Sequence, residues 1–160
     1  MPSIDREVAI HRLYIGPTFS PIKQKKRLFN DEKNTAIREE VMALLKEHAI
    51  RELKFSMWIA NVVLVKKPNN KWWMYTDFTN LNKACPKDFC LLPCLGRLVD
   101  GSANHEVFDF MDASRGYQQI RMAPEDEEKT TFITEYRLYC WKRMVNSIFA
   151  SQIGRNMEAG

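Results

Sequence analysis

A chain of 160 residues with 45% hydrophobic and 28% charged residues has the make-up of one globular domain and is too apolar to be disordered. Its longest apolar runs, such as "IANVVLV", fall far short of the roughly 20 residues that span a bilayer. Its start lacks a basic region followed by an apolar core, so neither a membrane partner nor a secretory leader is expected. A net charge of +4 is compatible with nucleic acid without selecting it.

Residues 1–30 read as an irregular arm, with Pro17 and Pro21 around a turn and the basic run "KQKKR", Lys23 to Arg27, after them. Such a run either touches phosphates, serves as a nuclear address or is a solvated basic arm, and charge statistics favour the last. A helix follows. Asn30 and Asp31 can cap it, and Ile37, Val41, Leu44 and Leu45 share one face at helical spacing. It is expected to end near His48, read here as a packed side chain.

"IANVVLVKK", Ile59 to Lys67, is β-branched and predicts a strand. "PNN" is turn chemistry, and "KWWMYTDF" predicts the returning strand. The result is a hairpin with Lys66, Lys67 and Lys71 near its tip, which is either a protected sheet edge or a shape that reaches over a triphosphate. "TNLNKACPKD" reads as a loop, and "CLGRLVDG" as a short helix stopped at Gly101. A strand is expected over residues 105–112, a helical turn from Pro124, a strand over 130–134 and another apolar stretch from Leu138 to Met144. Strands and helices mix without strict alternation, which predicts an α+β fold. The cysteines (Cys85, Cys90, Cys94 and Cys140) lack the paired spacing of a zinc site and read as reduced thiols of an intracellular protein, cytoplasmic or nuclear.

The 105–112 strand ends on an acid. Asp112 shares a face with Phe108 and Phe110, while Asp109 points the other way, so the two do not form a catalytic pair. Taken alone, Asp112 is a turn residue.

Its surroundings change that reading. "FMDASRGYQQI" resembles the first palm motif of reverse transcriptases, in the version carried by gypsy-type long-terminal-repeat retrotransposons. "AIREEVMALLKEHAIRE", "WIANVVLVKKPNNKWWMYTDFTNLNKACPKD", "LVDGSANH" and "APEDEEKTTFITE" follow in the order of such a polymerase. The resemblance covers roughly Asp5 to Met144. It implies an arm over 1–30, fingers and first palm motif over 31–144, and an unrelated tail over 145–160, with the C-terminal part of the palm missing.

The resemblance implies a chemistry too. RNA-directed DNA polymerases use two Mg2+ ions to activate the primer hydroxyl and to stabilise charge on the phosphate. Asp112 then becomes a catalytic metal ligand, with the backbone carbonyl of Ala113 beside it. Tyr117 becomes the ring beneath the incoming sugar, and Lys66 or Lys67 the fingers lysine on the dNTP. Asp77, Asn82 and Lys83 match the fingers signature, with a structural role favoured. The implied partners are an RNA/DNA primer-template and dNTP.

Four departures stand out. Where the family has arginine after Trp72, this chain has Trp73, which has one donor and no charge. Ser114-Arg115 and Arg137-Leu138 replace the expected Phe-Ser and Gly-Thr. The sequence contains no Tyr-x-Asp-Asp, the motif that supplies the other metal-binding aspartate. Polymerase activity from these 160 residues alone is therefore not expected, and self-association through an unpaired sheet edge is. The alternative is a non-catalytic nucleic-acid-binding module built on the basic hairpin, with Trp72 or Trp73 stacking on bases.

Overall fold

The capping signals produce a helix where they stand. In the structure, a computed structural model describing residues 4–86, 96, 100–101, 116–145 and 148, α1 runs Asp31–Lys46. Asn30 accepts the Lys33 N–H at 3.1 Å, and Asp31 and Glu32 place negative charge at the positive end of the helix dipole. Ile37, Val41 and Leu44 are the buried stripe.

The helix stops at a Schellman motif. His48 N–H donates to the Leu45 carbonyl at 3.0 Å and Ala49 N–H to the Leu44 carbonyl at 2.9 Å, with His48 left-handed at φ 54°. That geometry sends Ala49 and Ile50 into the core and His48 outward, so the imidazole is exposed rather than packed as expected.

The other elements are β1 (Ile10–His11), β2 (Ile50–Leu53), β3 (Ala60–Lys66), β4 (Trp72–Thr76), α2 (Thr79–Ala84), β5 (Arg121–Met122), α3 (Pro124–Glu127), β6 (Phe132–Ile133) and β7 (Leu138–Trp141). A 3₁₀ turn, Gly116–Gln119, precedes β5, and another, Glu128–Thr130, precedes β6. The main sheet has the order β2-β7-β6-β3-β4, antiparallel except for the β3/β6 pair, in which Ala60 lies beside Phe132. β1 and β5 form a small parallel pair. The fold is α+β, as expected.

The core lies between the α1 stripe and Val62, Met74, Phe132, Tyr139 and Trp141 of the sheet. Phe132 centres an aromatic group, with ring centroids 5.9 Å from Tyr139 and 6.0 Å from Trp141. Burying such side chains contributes roughly 1.5–3 kcal/mol each. Two acids enter this interior with partners: Asp126 accepts from Leu13 N at 2.8 Å and from Lys129 at 2.6 Å, and Glu127 accepts from Arg51 at 2.8 Å. No helix among the described residues is long and apolar enough to cross a membrane.

Two further expectations need correction. "TNLNKA" is helical, because Asp77 Oδ1 accepts from Thr79 Oγ1 at 2.6 Å and its N–H at 3.2 Å, starting a turn whose Leu81 and Ala84 are buried. The arm is also less irregular than expected. Beyond β1, Lys23 bridges Ile59, and Gln24 N–H donates to the Ile59 carbonyl at 2.8 Å, strapping the basic run along β3. Of the expected 94–101 helix, Gly96, Asp100 and Gly101 are described and helical. The expected 105–112 strand lies outside the described residues.

Candidate nucleic-acid interface

The β3–β4 hairpin closes on three loop residues. Asn70 N–H donates to the Lys67 carbonyl at 3.0 Å, Lys67 N–H donates to the Lys71 carbonyl at 2.8 Å, and Asn70 takes the left-handed conformation at φ 61°. Pro68 presets the turn, and Asn70 tolerates the positive φ that a three-residue loop requires. The register then pairs Lys66 with Trp72, Val65 with Trp73 and Val63 with Tyr75.

Alternation sorts these residues onto two faces with different work to do. On the inner face, Trp72 is half-buried against the start of α1. Its indole N–H donates to Glu32 Oε1 at 2.9 Å, and the ammonium groups of Lys33 and Lys66 stand 5.4 and 5.6 Å from its ring centre. Trp72 therefore ties the hairpin to the helix, with Lys66 packed on its ring.

The outer face carries Val65, Trp73 and Tyr75, which are 48%, 47% and 38% exposed, a degree that leaves their apolar surfaces open to a ligand. Trp73 and Tyr75 lie 4.7 Å apart with rings tilted by 39°, and Lys67 holds its ammonium 4.1 Å above the Trp73 ring. Of the two candidate lysines, Lys67 is the one on the open face. Aromatic rings beside a cation are the chemistry that holds an unpaired base next to its phosphate.

The basic run beneath this face is largely solvent-exposed, as a solvated arm would be, yet several of its side chains also engage the fold. Lys23 lies over the Phe55 ring at 4.4 Å, Lys26 bonds the Glu135 carbonyl, and Arg27 pairs with Asp77 at 3.3 Å. Asp77 thus shapes the hairpin base, and Asn82 and Lys83 lie on α2.

Asp112 and Ala113, which carry the magnesium expectation, lie outside the described residues. Tyr117 belongs to the Gly116–Gln119 turn, and its side chain likewise lies outside what is described. Among the described residues, no group of three or more His, Cys, Asp or Glu side chains could hold a metal ion. Cys85 and Cys140 are both buried. Burial pushes the Cys140 thiol up to about 11, with Arg51 pulling the other way.

Sequence reasoning missed a second basic cluster, Arg6, His48, Arg121, Lys142 and Arg143, around a cavity of about 60 Å³. These residues come from four distant segments, and no short motif announces them.

The architecture has known counterparts. The native protease–reverse transcriptase of prototype foamy virus matches over 89% of this chain and 19% of its own, with a TM-score of 0.71 at 22% identity. The foamy viral protease–reverse transcriptase in complex with dsDNA matches over 91% of this chain and 28% of its own, with a TM-score of 0.68 at 20% identity. The fold is reverse-transcriptase-like. Sequence relatives agree: the Pro-Pol polyprotein of feline foamy virus is 29% identical over 140 residues, covering 85% of this chain. The retrovirus-related Pol polyprotein from transposon 297 of Drosophila melanogaster is 26% identical over 129 residues, covering 78% of this chain. The chain spans 12% of the length of each of these two relatives. Viral and transposon polyproteins match alike, and no protein-family model matches.

Proposed function

We propose that this chain is the fingers and leading palm segment of a retrotransposon reverse transcriptase of the gypsy type, and that it contacts primer-template through the outer face of the β3–β4 hairpin. The observation that carries this reading is the placement of Lys67 above Trp73, on the open side of a hairpin held to α1 by Trp72. The similarity of the surrounding fold to foamy-virus protease–reverse transcriptases supports it.

In the intact enzyme Mg2+ would supply charge stabilisation at the transferred phosphate. On this chain Asp112 and the Ala113 carbonyl would be its ligands, and Tyr117 would lie beneath the sugar of the dNTP. One carboxylate does not fix two metal ions, so these 160 residues bind Mg2+ weakly and do not extend a primer by themselves. The indole of Trp73 further weakens triphosphate capture, because a charge-assisted contact worth roughly 1.5–3 kcal/mol is absent.

The exposed Trp73–Tyr75 pair favours a second reading, a non-catalytic binding module that uses the same hairpin. Purified chain is incubated with labelled RNA/DNA primer-template, dNTP and Mg2+ or Mn2+, and binding is followed by fluorescence anisotropy. Salt-dependent binding without extension is expected, with affinity falling about 5- to 10-fold in Lys67→Ala/Trp73→Ala. Extended primer would refute catalytic incompleteness, and unchanged affinity in the double variant would refute the hairpin as the contact.

A further inference from the structure

The five basic residues around the small cavity at the far end of α1 are brought together by backbone pairing, not by mutual attraction. Arg121 and Arg143 stand directly opposite each other in an antiparallel bridge, flanked by Met122 N–H to the Lys142 carbonyl and Met144 N–H to the Ile120 carbonyl, both at 2.9 Å. Opposite partners in such a bridge project to the same side, and like charges there repel. Lys142 N–H donates to the Ala49 carbonyl at 2.9 Å, which sets Lys142 beside the left-handed His48. Ile4 N–H donates to the Gln119 carbonyl at 3.0 Å, which brings Arg6 to the same rim.

Part of this charge answers the helix end. Arg143 donates to the carbonyls of Glu47 at 3.3 Å and Gln118 at 3.4 Å, as a cation at a helix C-terminus should. Among the described residues no carboxylate lines the cavity, and no ion pair involves Arg6 or Lys142. A fold that fixes an arginine pair face to face, then adds a lysine, a third arginine and an imidazole, is arranged for an anion.

We propose that this cavity binds a phosphate group, with Arg6, Arg121, Lys142 and Arg143 as charged donors and His48 at the rim. The space of about 60 Å³ suits one tetrahedral anion and not a planar base. The site is separate from the hairpin face. Trp72 and Glu32 mark the N-terminal end of α1, His48 lies just past its C-terminal end, and a 16-residue helix is about 24 Å long. The phosphate comes either from the backbone of a bound strand or from a free phosphate or mononucleotide, and the two sources separate experimentally.

The test variant is Arg6→Ala/Lys142→Ala, which removes two side chains that make no hydrogen bond or ion pair among the described residues. Sodium phosphate is titrated against chloride at matched ionic strength, and the His48 imidazole carbon–proton signals are followed in the full chain. A saturable shift with a midpoint on the order of 1–10 mM, abolished in the double variant, is expected. Fluorescein-labelled (dT)20 is then bound at increasing salt. If the source is a strand, the double variant binds at least about 5-fold more weakly, and its salt slope falls by about 1.4, two cations at about 0.7 each. If only the inorganic phosphate response is lost, the site takes free phosphate. A non-saturating shift, or an equal shift in wild type and variant, overturns the site. The phosphate arm does not involve Lys67 or Trp73, so failure of the hairpin reading leaves it standing, and the reverse also holds.

Discussion

Replacing Asn61 with alanine should release the basic strap and cost the fold much of its margin. The Asn61 side chain, 4% exposed, accepts the Arg27 N–H at 3.0 Å and donates to the Lys25 carbonyl at 2.9 Å and to Gln24 Oε1 at 3.1 Å. At about 1 kcal/mol each, these three bonds amount to about 3 kcal/mol. Water reaching the freed strap offsets part of that, so the expected loss is about 2–3 kcal/mol out of a typical 5–15. Urea unfolding measures it as a lower midpoint at unchanged slope. Limited trypsin digestion gives an independent reading, because Lys25, Lys26 and Arg27 should be cut faster in Asn61→Ala than in wild type. A loss below about 1 kcal/mol, with equal cutting rates, would refute the claim that this one amide clamps the arm.

Two further outcomes follow from backbone strain and burial. His48→Gly should raise stability by about 0.5–1 kcal/mol, since a left-handed non-glycine residue costs roughly 1–2 kcal/mol and glycine returns part of that as unfolded-state entropy; a rise in Tm checks it. The Cys140 thiol is held at about 11, above its ordinary value of about 9, so the unfolded chain loses this proton first as pH rises. Stability from this group is complete below pH 9 and falls between about pH 9 and 11, by roughly 2–3 kcal/mol at most. Urea midpoints of wild type and Cys140→Ala should converge over that window.

Much of the framework was legible because its signals are local. The Asn30 cap with Ile37, Val41 and Leu44 at helical spacing describes α1 completely, and β-branched residues around Pro68–Asn70 allow little but a hairpin. What escaped depends on partners distant in sequence or on fine geometry. α2 is too short to show periodicity and is started by Asp77, an acid that reads equally well as a turn residue. His48 follows an apolar face and so looked packed, but the Schellman geometry gives its place in the core to Ala49 and Ile50. The choice between Lys66 and Lys67 needs strand register, which places Lys67 over Trp73 and Lys66 against Trp72. The basic cavity needs the whole topology, since Arg6, His48, Arg121 and Arg143 meet only after the strands pair. Asp112 lies outside the described residues, and its place as a metal ligand is what the resemblance implies.

The strand order has a consequence for synthesis. β2 and β3 are successive along the chain, yet β7 and β6 lie between them, and both are made only after the long stretch beyond α2. While the polypeptide is emerging from the ribosome, the hairpin and α1 can assemble, but the flank of β3 that will receive β6 has no occupant. Neighbouring β2 is the nearest segment able to fill that vacancy wrongly. A chaperone that shields Val62 and Ile50 until Phe132 emerges would raise the yield of native protein without touching the finished molecule.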